Sequence, residues 1–234
     1  KPQSFLILWL QIKQKANSQQ GLTLIESLAA IVITTVILAT IAPPLLLSAA
    51  TRIQSRNIQQ AQRVTQQEID RVRAIFTREE GIAPSNQDGN IPPKSSTSPL
   101  YETSGPDTLT DDPSQLTSPN KALELDDVDG DDEVDFFVQF IRDEGACFTS
   151  GRAKDQLAVF NMGVRVYDIA AKDNLGSLNT EPASSGLTNG LGQRTTNPLA
   201  VAYTEISRSD LKLSLEEYQR YLKGTGSSNC PTNP

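Results

Sequence analysis

The apolar residues of this chain fall into one long block and several short ones. Between Leu22 and Ala50 the only charged side chain is Glu26. A helix of that length would run about 40 Å, beyond the ~30 Å hydrocarbon core of a bilayer. The block is therefore expected to span a membrane with tilt or to project past it. Pro43 and Pro44 lack amide donors and crowd the preceding turn, so a kink or local melting is expected near Ala39 to Pro44.

After the block, from Ala49 to Arg78, the chain turns charged. Ile58, Ala61, Val64, Ile69, Val72 and Phe76 recur mostly three or four residues apart, which predicts a continuing helix with one face for a core. Gly81, Pro84 and six further prolines up to Pro119 punctuate a Ser/Thr-rich stretch, so residues 82–120 read as an irregular loop. Apolar and β-branched residues fill Val134 to Ile141, Leu157 to Ile169 and Leu199 to Ile206, each bounded by turn residues. Three or four antiparallel strands packed on the amphipathic helix is the economical α+β fold. Gly163 is expected to mark a bulge or a break between strands. Residues 171–198 are polar again. Ser209 to Leu222 predicts a short helix capped by Ser214, with Glu217 three residues on.

The formal charge is −7. Such acidity argues against a nucleic-acid partner, which needs clustered Lys and Arg. Histidine is absent, removing the commonest general base and metal ligand together. No Gly-rich phosphate loop, nucleophile elbow or paired-Cys metal motif occurs, so the chain is read as no enzyme. A membrane-tethered enzyme would need an acid and base that no pair of carboxylates here supplies by spacing.

The run from Asp126 to Asp135 sets carboxylates at Asp127, Asp129, Asp131 and Asp135. Alternate positions on a tight loop can converge on one hard cation, with Glu133 lending its main-chain carbonyl, and an all-oxygen shell favours calcium. The run resembles the short calcium loops of integrin-type propeller repeats, which also lead straight into an apolar strand. It departs from the EF-hand, with Asp132 where Gly is needed. A solvated acidic turn is the plainer alternative.

Gly21-Leu22-Thr23-Leu24-Ile25-Glu26 resembles the class III signal of type IV prepilins and pseudopilins. Pro43 also matches the helix-disturbing proline of that family. The resemblance implies a leader over residues 1–21, cut after Gly21 by a prepilin peptidase that methylates the new amine of Leu22. The first mature residue departs from the usual Phe, and Gln20 precedes the cut. Loss of Lys1, Lys13 and Lys15 would take the chain from −7 to −10. The implied layout is an assembly helix over 22–50, an amphipathic helix over 51–80, the 82–120 loop and a β-rich part over 121–234. Glu26 would pair with the freed amine of a neighbouring subunit. A carboxylate at membrane depth costs about 2.5 to 3.5 kcal/mol without a partner; the plainer alternative is a snorkelling residue at a helix end.

Arg52, Arg56 and Arg63 follow the block, against the positive-inside bias. Orientation, with a cytoplasmic N-terminus and an exported C-terminal part, is thus implied by the motif and not by charge. Cys147 and Cys230 then lie where disulfides form, and a bridge between them would resemble the C-terminal disulfide of many pilins; two separate thiols are the alternative. The implied partners are the prepilin peptidase, other pilin subunits and the inner-membrane assembly machinery. The helix residues from Ala42 to Arg56 and from Glu68 to Arg73 further resemble cyanobacterial pseudopilins linked to hormogonium polysaccharide secretion and gliding. A minor pilin or pseudopilin serving secretion or surface motility is the leading expectation. A membrane-anchored, calcium-dependent surface-binding module is the alternative, and it has no need of Glu26.

If the acidic run binds calcium, Asp129→Ala will lower the melting temperature of the protein in calcium and leave it unchanged in chelator. Coincident melting curves of the unaltered protein with calcium and with chelator would refute the site.

Overall fold

A computed structural model describes residues 23–77, 91–126, 134–148, 155–184, 190–208, 214–223 and Cys230. Two compact units divide at Ala50 and Thr51. Helix α1, Leu24–Phe76, contributes to both.

In the first unit α1 is apolar on every side, and the span Leu24–Pro44 is wholly exposed. The expected melting at the prolines is not found, because Pro43 and Pro44 both lie inside the helix. Each proline forfeits a single ladder bond, and the helix runs on through both.

In the second unit α1 becomes one-sided. Ala61, Val64, Ile69, Val72 and Phe76 are all buried in a common core, with Ile58 packed partly against it. Phe76 meets Phe160 edge-on at 5.1 Å between ring centroids, the arrangement that the ring quadrupoles favour.

That core is one face of a six-stranded sheet. Its strands are β1 (Thr108–Thr110), β2 (Lys121–Asp126), β3 (Val134–Arg142), β4 (Ala146–Cys147), β5 (Leu157–Asp168) and β6 (Ala200–Ser207). Val159 pairs with Ala146 of β4 and Ser207 of β6, and Gly163 with Ile141 of β3 and Tyr203 of β6. Strand β5 therefore has β6 along one edge and β3 followed by β4 along the other. Helix α2 (Gly190–Gln193) is a single turn, and α3 (Ser214–Leu222) closes the described fold.

The three apolar blocks are β3, β5 and β6. The strand count rises to six through β1, β2 and the two-residue β4, and the sheet is not wholly antiparallel, since β1 runs parallel to β2. Gly163 neither breaks nor bulges β5, whose register with both neighbours runs through it unshifted. Its reason is close approach: a Cβ there would lie 2.8 Å from the Tyr203 ring and 2.8 Å from Ile141 Cγ1.

Phe136, Val138, Phe140, Phe160, Met162, Val164 and Val166 face the helix. Their alternating neighbours face the segment after Ile91. There Phe137 stacks on Tyr167 at 5.2 Å, and Arg165 is fully buried. Arg165 Nη1 donates to Thr103 O (2.7 Å) and Gln139 Oε1 (3.1 Å), and Nη2 to Leu100 O (3.2 Å), Tyr101 O (3.2 Å) and Tyr203 Oη (3.0 Å). Gln139 Nε2 adds bonds to Ser104 O (2.8 Å) and Pro119 O (2.7 Å). The connection from helix to sheet is thus tied down by its carbonyls.

Arg165→Met keeps the bulk and removes every donor, stranding several buried carbonyls at about 1 to 3 kcal/mol each. Urea unfolding is expected to show a loss of at least ~3 kcal/mol; a loss under ~1 kcal/mol would show that the clamp contributes little.

Candidate functional site

The start of α1 is built by its own first residues. Thr23 caps it: Thr23 O accepts from the Glu26 amide (2.9 Å) and the Ser27 amide (3.1 Å), and Thr23 Oγ1 accepts from the Glu26 amide (3.4 Å). Thr23 and Glu26 stand in the Ser/Thr-x-x-Glu spacing of a capping box. Glu26 falls in the first turn, where the helix dipole favours an anion. That spacing is a local signal in the sequence itself, inside the longer pattern over residues 21–26.

Leu24–Pro44 is a 21-residue span with mean hydropathy 2.3. At 1.5 Å per residue it measures about 31 Å, close to the hydrocarbon thickness. Its hydroxyls are satisfied within the helix: Ser27 Oγ donates to Leu24 O (2.9 Å), Thr34 Oγ1 to Ala30 O (2.7 Å), Thr35 Oγ1 to Val32 O (2.8 Å) and Thr40 Oγ1 to Ile37 O (2.8 Å). Hydroxyls bonded to their own backbone can face lipid without an unmet donor. Glu26 is then the one charged side chain of this span.

Gly21 and Leu22, on either side of the expected cut, lie outside the described residues, as do Asp127, Asp129, Asp131 and Glu133. Asp135 is the second residue of β3. The acidic run joins β2 to β3, which pair as far as Asp126 with Val134. Among the described residues no three His, Cys, Asp or Glu side chains come together as a metal site.

Cys147 and Cys230 are joined, with Cα atoms 5.1 Å apart across 83 positions of sequence. The tail is thereby fastened to β4, and α3 is held nearby by a polar cluster that sequence alone did not reveal. Tyr221 Oη donates to Asp143 Oδ2 (2.6 Å), and Asn161 Nδ2 donates to Asp143 Oδ2 (3.0 Å) and to Tyr221 Oη. Burial, and then the Asp143 carboxylate that its proton serves, push the Tyr221 phenol above its ordinary range. Asp168, also buried, takes both Arg194 Nη2 (2.6 Å) and Arg194 Nε (2.9 Å) and fixes α2 beside the end of β5.

Residues 16–42 match the family model of the prokaryotic N-terminal methylation motif. No curated protein and no solved structure matches the chain. The motif supports a type IV prepilin- or pseudopilin-type protein, implying processing by the prepilin peptidase and assembly with other pilins. Motif and apolar helix together are consistent with a membrane-anchored, single-pass pilin.

The double variant Cys147→Ser, Cys230→Ser opens an 83-residue separation, for which the chain-entropy model gives about 4 to 5 kcal/mol of lost stability. Urea unfolding with and without reductant checks it: reductant is expected to shift the unaltered protein and leave the double variant where it was.

Proposed function

We propose that this type IV prepilin-type protein is a minor pilin or pseudopilin, a structural subunit that is cut after Gly21, held in the membrane by the first part of α1 and drawn into a pilus-like fibre. The observation that carries the reading is Glu26. It is one exposed carboxylate in an otherwise uncharged 21-residue span, inside the matched motif. A plain anchor gains nothing from such a charge beyond the helix cap, which Thr23 already supplies.

The mechanism follows from charge and solvent. In lipid the carboxylate is costly, and the dipole of the first turn offsets only part of that cost. The amine freed at Leu22 of a neighbouring subunit offers a full positive charge in a low-dielectric setting, where the attraction is strong. An incoming subunit would then settle at the register that brings amine and carboxylate together, while its apolar helix surface exchanges lipid for other helices. The C-terminal unit would lie outside the cytoplasm, where the Cys147–Cys230 bridge persists. The fibre would serve secretion, of polysaccharide by the narrower resemblance, or surface motility. Calcium at residues 127–135 would stiffen the connection between β2 and β3.

Mass and N-terminal sequence of protein from cells carrying their own prepilin peptidase are expected to show a start at Leu22, in the unaltered chain and in Glu26→Val alike. Incorporation of Glu26→Val into fibres is expected to fall at least tenfold. An uncut N-terminus, or undiminished incorporation of the variant, would overturn the reading.

A further inference from the structure

Among the described residues strand β6 is an open edge, with β5 as its one neighbour. Arg208 N donates to Ala158 O at 3.0 Å, which fixes the phase of the ladder: the amides of Ala200, Ala202, Thr204 and Ile206 face β5, and those of Val201, Tyr203, Glu205 and Ser207 face away. Among the described residues those outward groups have no backbone partner. The ladder runs without a register shift, the strand has no proline and no lysine, and its single charge, Glu205, is engaged by the Tyr218 hydroxyl. Two usual guards of an exposed edge, a proline and a lysine, are therefore missing from the strand.

Outside the apolar half of α1, the large exposed apolar side chains among the described residues are Ile53, Tyr101, Tyr203, Leu215 and Leu222. Tyr203 belongs to β6, and Leu215 and Leu222 to α3, which packs on β5 and β4 and reaches β6 through Tyr218. On α3, Tyr221 reaches Asn161 of β5 and Tyr218 reaches Glu205 of β6, so the helix surface turns from β5 towards the open edge between these two positions. Leu215 and Leu222 stand on the same stripe one step beyond Tyr218. They are 63% and 62% exposed. On the opposite side Arg73 of α1 donates to Thr204 Oγ1 (3.1 Å) and pairs with Asp70 (3.6 Å), a charged border.

We propose that β6 accepts an extended segment of a neighbouring pilin subunit as an added strand, with Tyr203, Leu215 and Leu222 covered by its side chains. Main-chain bonds to Val201, Tyr203, Glu205 and Ser207 supply affinity, and the apolar border selects the segment. Symmetry decides the kind of partner. Pairing of β6 with β6 of another copy about a two-fold axis closes after two chains, whereas a fibre needs contacts between unlike surfaces that repeat from one subunit to the next. The methylation motif brings other pilins to this chain, so a subunit's extended segment is the occupant that both chemistry and symmetry admit.

This inference rests on the assembly reading above, and amide hydrogen exchange separates the two. Full-length protein is compared in detergent micelles and in fibres recovered from cells. The amides of Val201, Tyr203, Glu205 and Ser207 are expected to exchange quickly in micelles and at least tenfold more slowly in fibres, with those of Ala202, Thr204 and Ile206 protected in both. Val201→Pro, which removes an amide unused by β5, is expected to melt within a few degrees of the unaltered protein yet enter fibres at least tenfold less. Ala202→Pro, which removes a ladder bond, is the folding control. Outward amides already protected in micelles would mean that the chain covers its own edge, and would overturn the proposal. Fast exchange in fibres, or undiminished incorporation of Val201→Pro, would overturn it as well. An unaltered chain that never enters a fibre overturns both readings; one that enters with its edge still exchanging overturns this one alone.

Discussion

One helix has to be compatible with two solvents, and the rest of the molecule follows from how α1 meets that demand. Over Leu24–Pro44 it is apolar all round, binds its hydroxyls to its own backbone and admits no charge after its first turn. From Thr51 on it is polar except at Ile53 and along the stripe from Ile58 to Phe76, which the sheet covers. A helix apolar all round has no preferred neighbour, whereas a striped helix has one. The switch from the first to the second is why one part of the chain is suited to lipid and other helices and the next to a domain of its own.

The stripe covers only one face of the sheet. The other face is covered in part by an apolar patch, where Leu109, Ala171, Leu175 and Leu178 pack with Phe137 and Tyr167, and in part by the segment from Leu100 to Ser104, which is held by polar means. A fully buried guanidinium with no carboxylate among the hydrogen-bond partners described above is an uncommon device, since burying a charge is costly unless every donor is used. Arg165 meets that condition through main-chain carbonyls, Gln139 and Tyr203. A carbonyl-bound segment can vary its side chains widely and keep its path, because the clamp reads backbone alone.

Much of this was legible in the chain. The three- and four-residue spacing of Ile58 to Phe76 fixes the buried stripe because a helix has a single period. The blocks of β3 and β5 were legible because strands buried on both faces are largely apolar, and that of β6 by its β-branched and aromatic residues between turn signals. What escaped was short or non-local. Strand β1 has three residues and takes its conformation from β2. Gly163 looked like punctuation because its meaning lies in Tyr203, forty residues on. Arg165 and Asp143 act through partners that no local pattern links to them. At the prolines the helix continues without melting. The motif around Glu26 was the clearest, being short, contiguous and independent of the fold.

The bridge between Cys147 and Cys230 also has a mechanical consequence. It turns the stretch holding β5, β6 and α3 into a closed ring of chain. If a subunit anchored by its N-terminal helix were pulled from its far side, elements before Cys147 could pay out, but the ring could not. At about 3.4 Å per extended residue, the 83-position separation withholds roughly 280 Å of contour. Under load such a subunit is a short tether with a hard stop, and the length a fibre can gain by unravelling one subunit is set by chain outside the ring.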